Sequence, residues 1–514
     1  MQAALIRQRE RTHNPWLVLA IVCLAQFMVV LDATVVNVAL PTIQKDLNFT
    51  DSSLQWVVNA YTLLFGGFLL LGGRAADLFG RRRLFMGGVV LFTGASVLNG
   101  FAPSSEFLIV SRALQGLGGA MVSPAALSIV TTTFAEGRDR ARAMSVWAAI
   151  AVGGGAFGLI AGGILTEYAT WRWIFFVNVP IGVLTLAAAW RVVQDSRGTL
   201  RHRHFDLGGA ISITSGLVIL VFGIVKAQEF GWTSAKTLGL IGIALALIGA
   251  FVAIERRSKA PLVRLGIFGT RTLSVGNAVL FVVSGGMFAV FFLETLYVQG
   301  ILHLSPVQAG LGFLPLTAAI IGASAVAQQV IARFGVRAVA ITGMTVGALG
   351  LMLMSRAPVG GTYLADVLPG LVVMGLGLGF TFVPVTLIAT TNVAHEDAGL
   401  ASGLFNTSQQ IGGALGLAIL STIATNRTAD HLSALGHVPS PADMADAIVT
   451  GYNADFIADA GMLLLGVVMS AAFLRNRDLG AINQMSPDAA PEAPEPVSPG
   501  ELRPVLEGGG EGGS

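Results

Sequence analysis

The chain has 514 residues, of which 54% are hydrophobic and only 12% charged, with a formal net charge of +2 and a mean hydropathy of +0.73. Soluble domains carry about 25% charged residues, so this composition excludes an ordinary soluble globular protein. The charges are segregated along the chain and form no basic patch, so no nucleic-acid partner is expected.

The N-terminus places Arg7, Arg9 and Arg11 before an apolar run too long for a signal peptide, which reads as a retained first span. Runs of about 20 apolar residues, enough to cross a bilayer as helices, recur near 16–40, 54–75, 84–102, 107–134, 144–166, 173–193, 207–227, 237–255, 273–298, 306–331, 337–356, 363–390, 400–424 and 456–474. The expected class is therefore an all-α polytopic membrane protein with fourteen spans, its lipid partner the bilayer itself. A twelve-span count requires dropping 207–227 and 237–255, yet both are long and apolar enough to cross.

Charge sets the orientation. Arg81–Arg83, Arg138, Arg140, Arg142, Arg191, Arg197, Arg201, Arg203, Arg256, Arg257, Lys259, Arg264, Arg271, Arg333, Arg337, Arg475 and Arg477 fall on one side. Only Lys45, Arg172, Lys226, Lys236, Arg356 and Arg427 fall on the other. Basic loops stay inside, so both termini are expected in the cytoplasm and the protein in the cell inner (plasma) membrane. Between 426 and 455 the chain reads as a longer outer loop with Pro439 and Pro441. From 480 to 514 it turns to Pro, Ala, Glu and Gly, a composition that builds no core and reads as a disordered cytoplasmic tail.

The halves repeat. Thr50 opens the second span and Ser305 the tenth; thirty residues after each comes Gly80-Arg81 or Gly335-Val336-Arg337. This predicts two related six-helix bundles, 16–193 and 273–474, with two helices inserted at 207–255 and a cytoplasmic N-terminus at 1–15.

Chemistry is sparse. Cys23 is the single cysteine, and there is no GK[ST] phosphate loop and no HExxH helix, so no metal, no cofactor and no bond-making enzyme activity are expected. Any pumping must draw on an ion gradient. Asp32 and Asn37 lie inside span one, and an intramembrane charge costs at least roughly 2.5–3.5 kcal/mol, which makes it a functional candidate. Arg112 and Gln115 lie three residues apart on one face of span four. Counted from the outer helix ends, Asp32 is ~12 Å deep and Arg112 ~8 Å deep, so the two predict a pair, either a proton-coupling site or a static brace. Glu294 in span nine reads as a second proton or cation site or as a rim residue. Glu167 and Asp366 read as solvated span ends, and Asp206 as a helix cap. Asn37, Asn59, Tyr61, Gln115, Asn178, Asn406, Gln409 and Gln410 are polar groups in apolar helices, candidates for a substrate cavity or for helix-to-helix bonds.

Several stretches resemble one family. GRAADLFGRRR, with Gly73, Asp77, Gly80, Arg81, Arg82 and Arg83, resembles the loop signature of the major facilitator superfamily. LDATVVNVALP and WRWIFFVNVP resemble its fourteen-span drug:proton antiporter branch, and RALQGLGGA resembles a span-four motif whose arginine is implicated in proton coupling. The resemblance covers roughly 15–425. One departure stands in span five: Gly154, Gly158, Gly162 and Gly163 allow close helix approach, but Leu159 occupies the family's proline position, removing the expected kink. The resemblance implies an exporter that exchanges protons for amphipathic small molecules, and a monomer is expected. Asp32 would carry the proton beside Arg112, and the Gly73–Arg83 loop would latch a cytoplasmic gate. An exporter of one physiological solute or self-made metabolite is the alternative, and a non-transporting receptor of the same fold a more distant one.

Overall fold

The structure, a computed structural model, describes residues 14–134, 137–194, 206–258, 261–393 and 398–479. The expectations for 1–13 and 480–514, for Arg197, Arg201, Arg203 and Lys259, and for the Asp77 and Arg477 side chains lie outside what is described. The described residues form helices and no strand. In hydrocarbon every backbone N–H and C=O must be bonded within its own segment, so even Val- and Ile-rich runs become helical.

The long helices are α1 (Pro15–Asp46), α2 (Trp56–Phe79), α3 (Arg81–Gly100), α4 (Ser105–Thr133), α5 (Arg138–Tyr168), α6 (Asn178–Val192) and α7 (Leu207–Phe230). They continue as α8 (Ala235–Arg257), α9 (Arg271–Gly300), α10 (Leu314–Phe334), α11 (Val336–Met354), α12 (Leu368–Thr390), α13 (Ala398–Ala434) and α14 (Pro441–Phe473). Among the described residues, 12 helical stretches are long and apolar enough to cross a membrane. The remaining two, α5 with 31 residues and α13 with 37, are long enough at 1.5 Å per residue. Their glycines, arginines and amides dilute the apolarity, and both pack among the others, α5 against α1 and α13 against α9.

The internal repeat has a structural counterpart. Thr50 and Ser305 each close a capping box, with Ser53 and Gln308 respectively, satisfying the free N–H groups of a short helical turn that leads into α2 or α10. Gly80 and Gly335 break the α2–α3 and α10–α11 hairpins at φ +104° and +83°, a conformation that costs glycine little and other residues much. In the first half α1 packs on α4, α5 and α6, and α4 packs on α2 and α3. In the second half α9 packs on α12, α13 and α14, and α11 packs on α12 and α14. α7 lies against both α2 and α13, where Leu217, Val221, Ile224 and Val225 form one apolar cluster with Leu63, Ala414, Leu415 and Ala418. α8 sits outside it, packed on α7.

The halves touch along α2–α13, α1–α9 and α5 with the Pro306–Gly312 turn. On the side away from Gly80, Gln299 Nε2 donates to Val38 O at 2.8 Å, and Val307 N donates to Glu167 at 2.9 Å. The expected outer loop over 426–455 is overturned: α13 runs on to Ala434 and α14 begins at Pro441. Ser440 caps α14 in a capping box with Asp443, and Pro441 sits in the first turn, where a missing N–H costs nothing. Pro441, read as part of a loop, is the helix start, and Pro439 lies in the short connection before the Ser440 cap.

Candidate functional site

Five expected residues converge on one point. Arg112 Nη1 lies 2.5 Å from Asp32 Oδ2, with the side chains 1% and 0% exposed. Gln115 Nε2 donates to Asp32 Oδ1 at 2.7 Å, and Asn178 Nδ2 donates to the same oxygen at 2.9 Å. The carboxylate thus takes donors from α4 twice and from α6 once. Arg112 Nε donates to Val57 O of α2 at 3.0 Å, and Nη1 also reaches Gln115 Oε1 at 2.7 Å. The guanidinium lies over the Tyr61 ring at 4.4 Å, a cation–π contact.

Two members escaped the sequence reading. Ser96 Oγ accepts from Gln115 Nε2 at 2.9 Å and from Asn178 Nδ2 at 3.0 Å. Asn99 Nδ2 donates to Gln115 Oε1 at 2.6 Å. Both are fully buried on α3, three residues apart, facing the Arg112–Gln115 pair of the same spacing on α4. That matched spacing on adjacent spans was the available signal. The result is one buried polar network drawing on α1, α2, α3, α4 and α6.

Close backbone approach makes the network possible. A Cβ at Gly116 would collide with Tyr61 O, and one at Gly118 would stand 2.7 Å from Phe92 N. The α5 series lies along α1 beside Asp32: Gly154 faces Val30 and Phe27, Gly158 faces Thr34 and Leu31 O, and Gly162 faces Val35 O at 2.7 Å. Gly163 turns to the other half, where a Cβ would meet Pro306 O at 2.7 Å. Leu159 extends that seam, its carbonyl lying against Gly310.

Glu294 stands apart from this network. It is 1% exposed on α9, its Oε1 has no partner among the described residues, and it faces a narrow pocket with Leu304, Phe313, Tyr363 and Leu371. The nearby phenols are engaged elsewhere, Tyr297 with Pro358 O at 2.9 Å and Tyr363 with Gly312 O at 2.6 Å. Glu294 is therefore a buried group and not a rim residue. Asp206 caps α7 through Gly209 N at 2.7 Å, as its position predicts, and Asp366 accepts from Thr362 N at 2.7 Å.

The remaining polar candidates are dispersed. Asn59 Nδ2 donates to Gln55 at 3.4 Å within the α2 region, and Asn37 makes a long contact to Ala33 O at 3.5 Å. Asn406 is exposed on α13 and donates to Ser402 O at 3.0 Å. Gln409 and Gln410 are half-buried, and Gln410 packs against Gly66 of α2. Around the Gly80 turn, Gly73 makes an ordinary contact with Pro124 of α4. Arg81 is half-buried and Arg83 exposed. Arg82 donates to Trp190 O at 2.5 Å and lies 5.6 Å from that ring, tying the turn to the end of α6. Arg74 reaches Pro261 O at 2.9 Å, joining α2 to the segment that precedes α9.

Residues 22–417 match the family model of the Major Facilitator Superfamily. The chain is 40% identical over 482 residues to the puromycin resistance protein pur8 of Streptomyces alboniger, covering 93% of this chain and 95% of that one. It is 39% identical over 469 residues to the cephamycin export protein CmcT of Amycolatopsis lactamdurans, covering 90% and 93%. Among solved structures, a bacterial homologue of the human lysosomal transporter Spinster superposes with a TM-score of 0.64 at 15% identity, over 93% of this chain and 100% of that one. A model match over most of the chain, relatives matched nearly end to end and a shared helical architecture make the chain a multi-pass membrane protein that belongs to the major facilitator superfamily.

Proposed function

We propose that this chain is a proton-coupled secondary active efflux transporter of the cell inner membrane. It exports amphipathic drugs, antibiotics or dyes as a monomer, crosses the bilayer fourteen times with both termini in the cytoplasm, and uses no cofactor beyond the proton gradient. The observation that carries the reading is the Asp32 network. Five helices join one network around a buried carboxylate whose donors come from α4 and α6. A proton on Asp32 Oδ2 neutralises the charge that Arg112 pairs with, leaving the guanidinium only its contacts with Val57 O, Gln115 and Tyr61. An isolated charge in hydrocarbon is costly, so protonation of one side chain shifts several helices at once. That is the link alternating access needs. The names of the relatives, a resistance protein and an export protein, support outward movement of antibiotics.

Asp32, Arg112 and Glu294 are the proposed proton-coupling groups, and Gln115 and Asn178 hold the first of them. The turn at Gly80, with Arg81–Arg83, is the proposed cytoplasmic latch. Inside-out vesicles with an imposed proton gradient test the whole reading, with ethidium and puromycin as probes. The parent accumulates a probe, a protonophore abolishes this, and Asp32→Asn folds but does not pump. Equal pumping by Asp32→Asn removes its proton role. A second reading is favoured by the single-antibiotic names of the relatives: a narrow exporter of one metabolite. A parent that moves puromycin but none of a dye panel selects it.

A further inference from the structure

Two carboxyls of α14 take no part in the network above. Asp455 and Asp459 stand four residues apart, one turn along one helix face. They are 0% and 1% exposed, and none of their four oxygens has a hydrogen-bond partner among the described residues. Asp459 points at α9, where a Cβ on Gly286 would collide with its Oδ1.

The surrounding charges are all engaged elsewhere or distant. At the far end of α14, Arg271 of α9 donates to Phe473 O at 2.5 Å and Arg337 of α11 to Ala471 O at 2.6 Å. At the opposite end, His431 of α13 pairs with Asp446 at 3.2 Å, and Arg427 and Asp430 are exposed. Tyr452 stacks edge-on with Tyr297, and Glu294, eight residues or ~12 Å along α9 from Gly286, faces its own pocket.

The position is the mirror of the first network. Asn178 lies fifteen residues before Val193, which caps the end of α6, and Asp459 lies fifteen before Leu474, which caps the end of α14. Asp32 lies eighteen residues before the Thr50 cap, and Met287, next to Gly286, lies eighteen before the equivalent Ser305 cap. The Asp459–Gly286 contact thus lies within one residue of the counterpart of the Asn178–Asp32 contact, with the carboxyl moved to the opposite helix. The first half surrounds its carboxylate with donors; the second half supplies none. An ionised carboxylate without partners in such a place is very unfavourable, and two neighbours more so. Calcium-type sites gather six or more oxygens at 2.3–2.6 Å, whereas the described residues hold no group of three acidic, His or Cys side chains able to bind a metal, and α9 backbone presses on Oδ1. A proton needs neither room nor further ligands.

We propose that Asp455 and Asp459 form a second proton-binding site, in the C-terminal half, at the position that mirrors the Asp32 network. Its role in coupling rests on the exporter reading; its existence does not. The test is infrared difference spectroscopy of the full chain in lipid, taken from acid to alkaline buffer without cargo. The parent loses protonated-carboxyl C=O intensity on going alkaline; one component of that loss persists in Asp32→Asn/Glu294→Gln and is missing from the Asp455→Asn/Asp459→Asn variant. Identical difference spectra for parent and double variant overturn the site. Loss of the parent band on adding sodium at fixed acid pH overturns the proton assignment in favour of a metal cation. Should the double variant fail to fold, Asp459→Glu decides: a shifted band supports the site, and an unshifted one overturns it. A chain that moves no probe yet shows the band keeps the site and loses the exporter reading.

Discussion

Arg112 is the residue whose loss the first half tolerates least. It bridges α4 to α1 through Asp32 and to α2 through Val57 O, with no exposure to solvent that could compensate. Arg112→Ala strands a buried carboxylate, and breaking a buried ion pair from one side costs about 3–5 kcal/mol. Asp32→Asn added to it removes that charge, so the double variant is expected to melt at a higher temperature than Arg112→Ala alone. The melt can be followed with a thiol-reactive dye, because buried Cys23 is its single target. Additive losses would sink the paired-charge account. Arg112→Lys keeps a cation but loses the separate Nε and Nη donors, so it is expected to fold and to transport poorly. Ser96→Ala is milder: Gln115 and Asn178 keep Asp32 Oδ1, and the loss is about 1 kcal/mol in the same melt.

Helices carry the next level of the design. α5 runs as a glycine-lined blade between α1 and the Pro306–Gly312 turn, so its position sets both the Asp32 surroundings and the contact between halves. Gly310→Val puts a branched side chain against the Leu159 carbonyl and forces that seam apart. In a Cys23→Ser background with Asn37→Cys as reporter, the variant is expected to label several-fold faster with a membrane-impermeant maleimide. Unchanged labelling would mean the seam is not a gate. These elements were unevenly legible. Asp32 and Arg112 stood out because charge inside an apolar run is costly, and the repeat stood out because caps and turn glycines recur at fixed spacing. Ser96 and Asn99 did not, since small polar groups commonly satisfy themselves on their own helix, as Thr34 and Ser111 do here. Asp455 and Asp459 were hidden by their neighbourhood. The expected loop over 426–455 takes in Asp455 and leaves Asp459 near the very start of the expected span 456–474, yet Pro441 begins a 33-residue helix whose middle, with both aspartates, is buried.

At the scale of the whole molecule, the inserted pair α7–α8 decides how the halves present themselves to the bilayer. α7 fills the groove between α2 and α13 with aliphatic side chains, and Thr214 packs on Gly67 of α2. α8, by contrast, leaves most of its apolar surface uncovered by the other helices, as a lipid-facing helix would. In the proposed topology two consecutive crossings would preserve the orientation of everything after them, which would keep the basic segments of the second half on the side of Arg81–Arg83. Alkaline phosphatase fusions give a direct reading of this topology, because the enzyme is active only when exported. Fusions after Thr233, between α7 and α8, and after Gly436, between α13 and α14, are expected to be active; fusions after Gly80 and after Pro261 are expected to be inactive. An inactive Thr233 fusion beside an active Gly436 fusion would mean that α7 and α8 do not cross. The transporter would then be a twelve-span bundle with two helices lying against it, and the α2–α13 groove would need another cover.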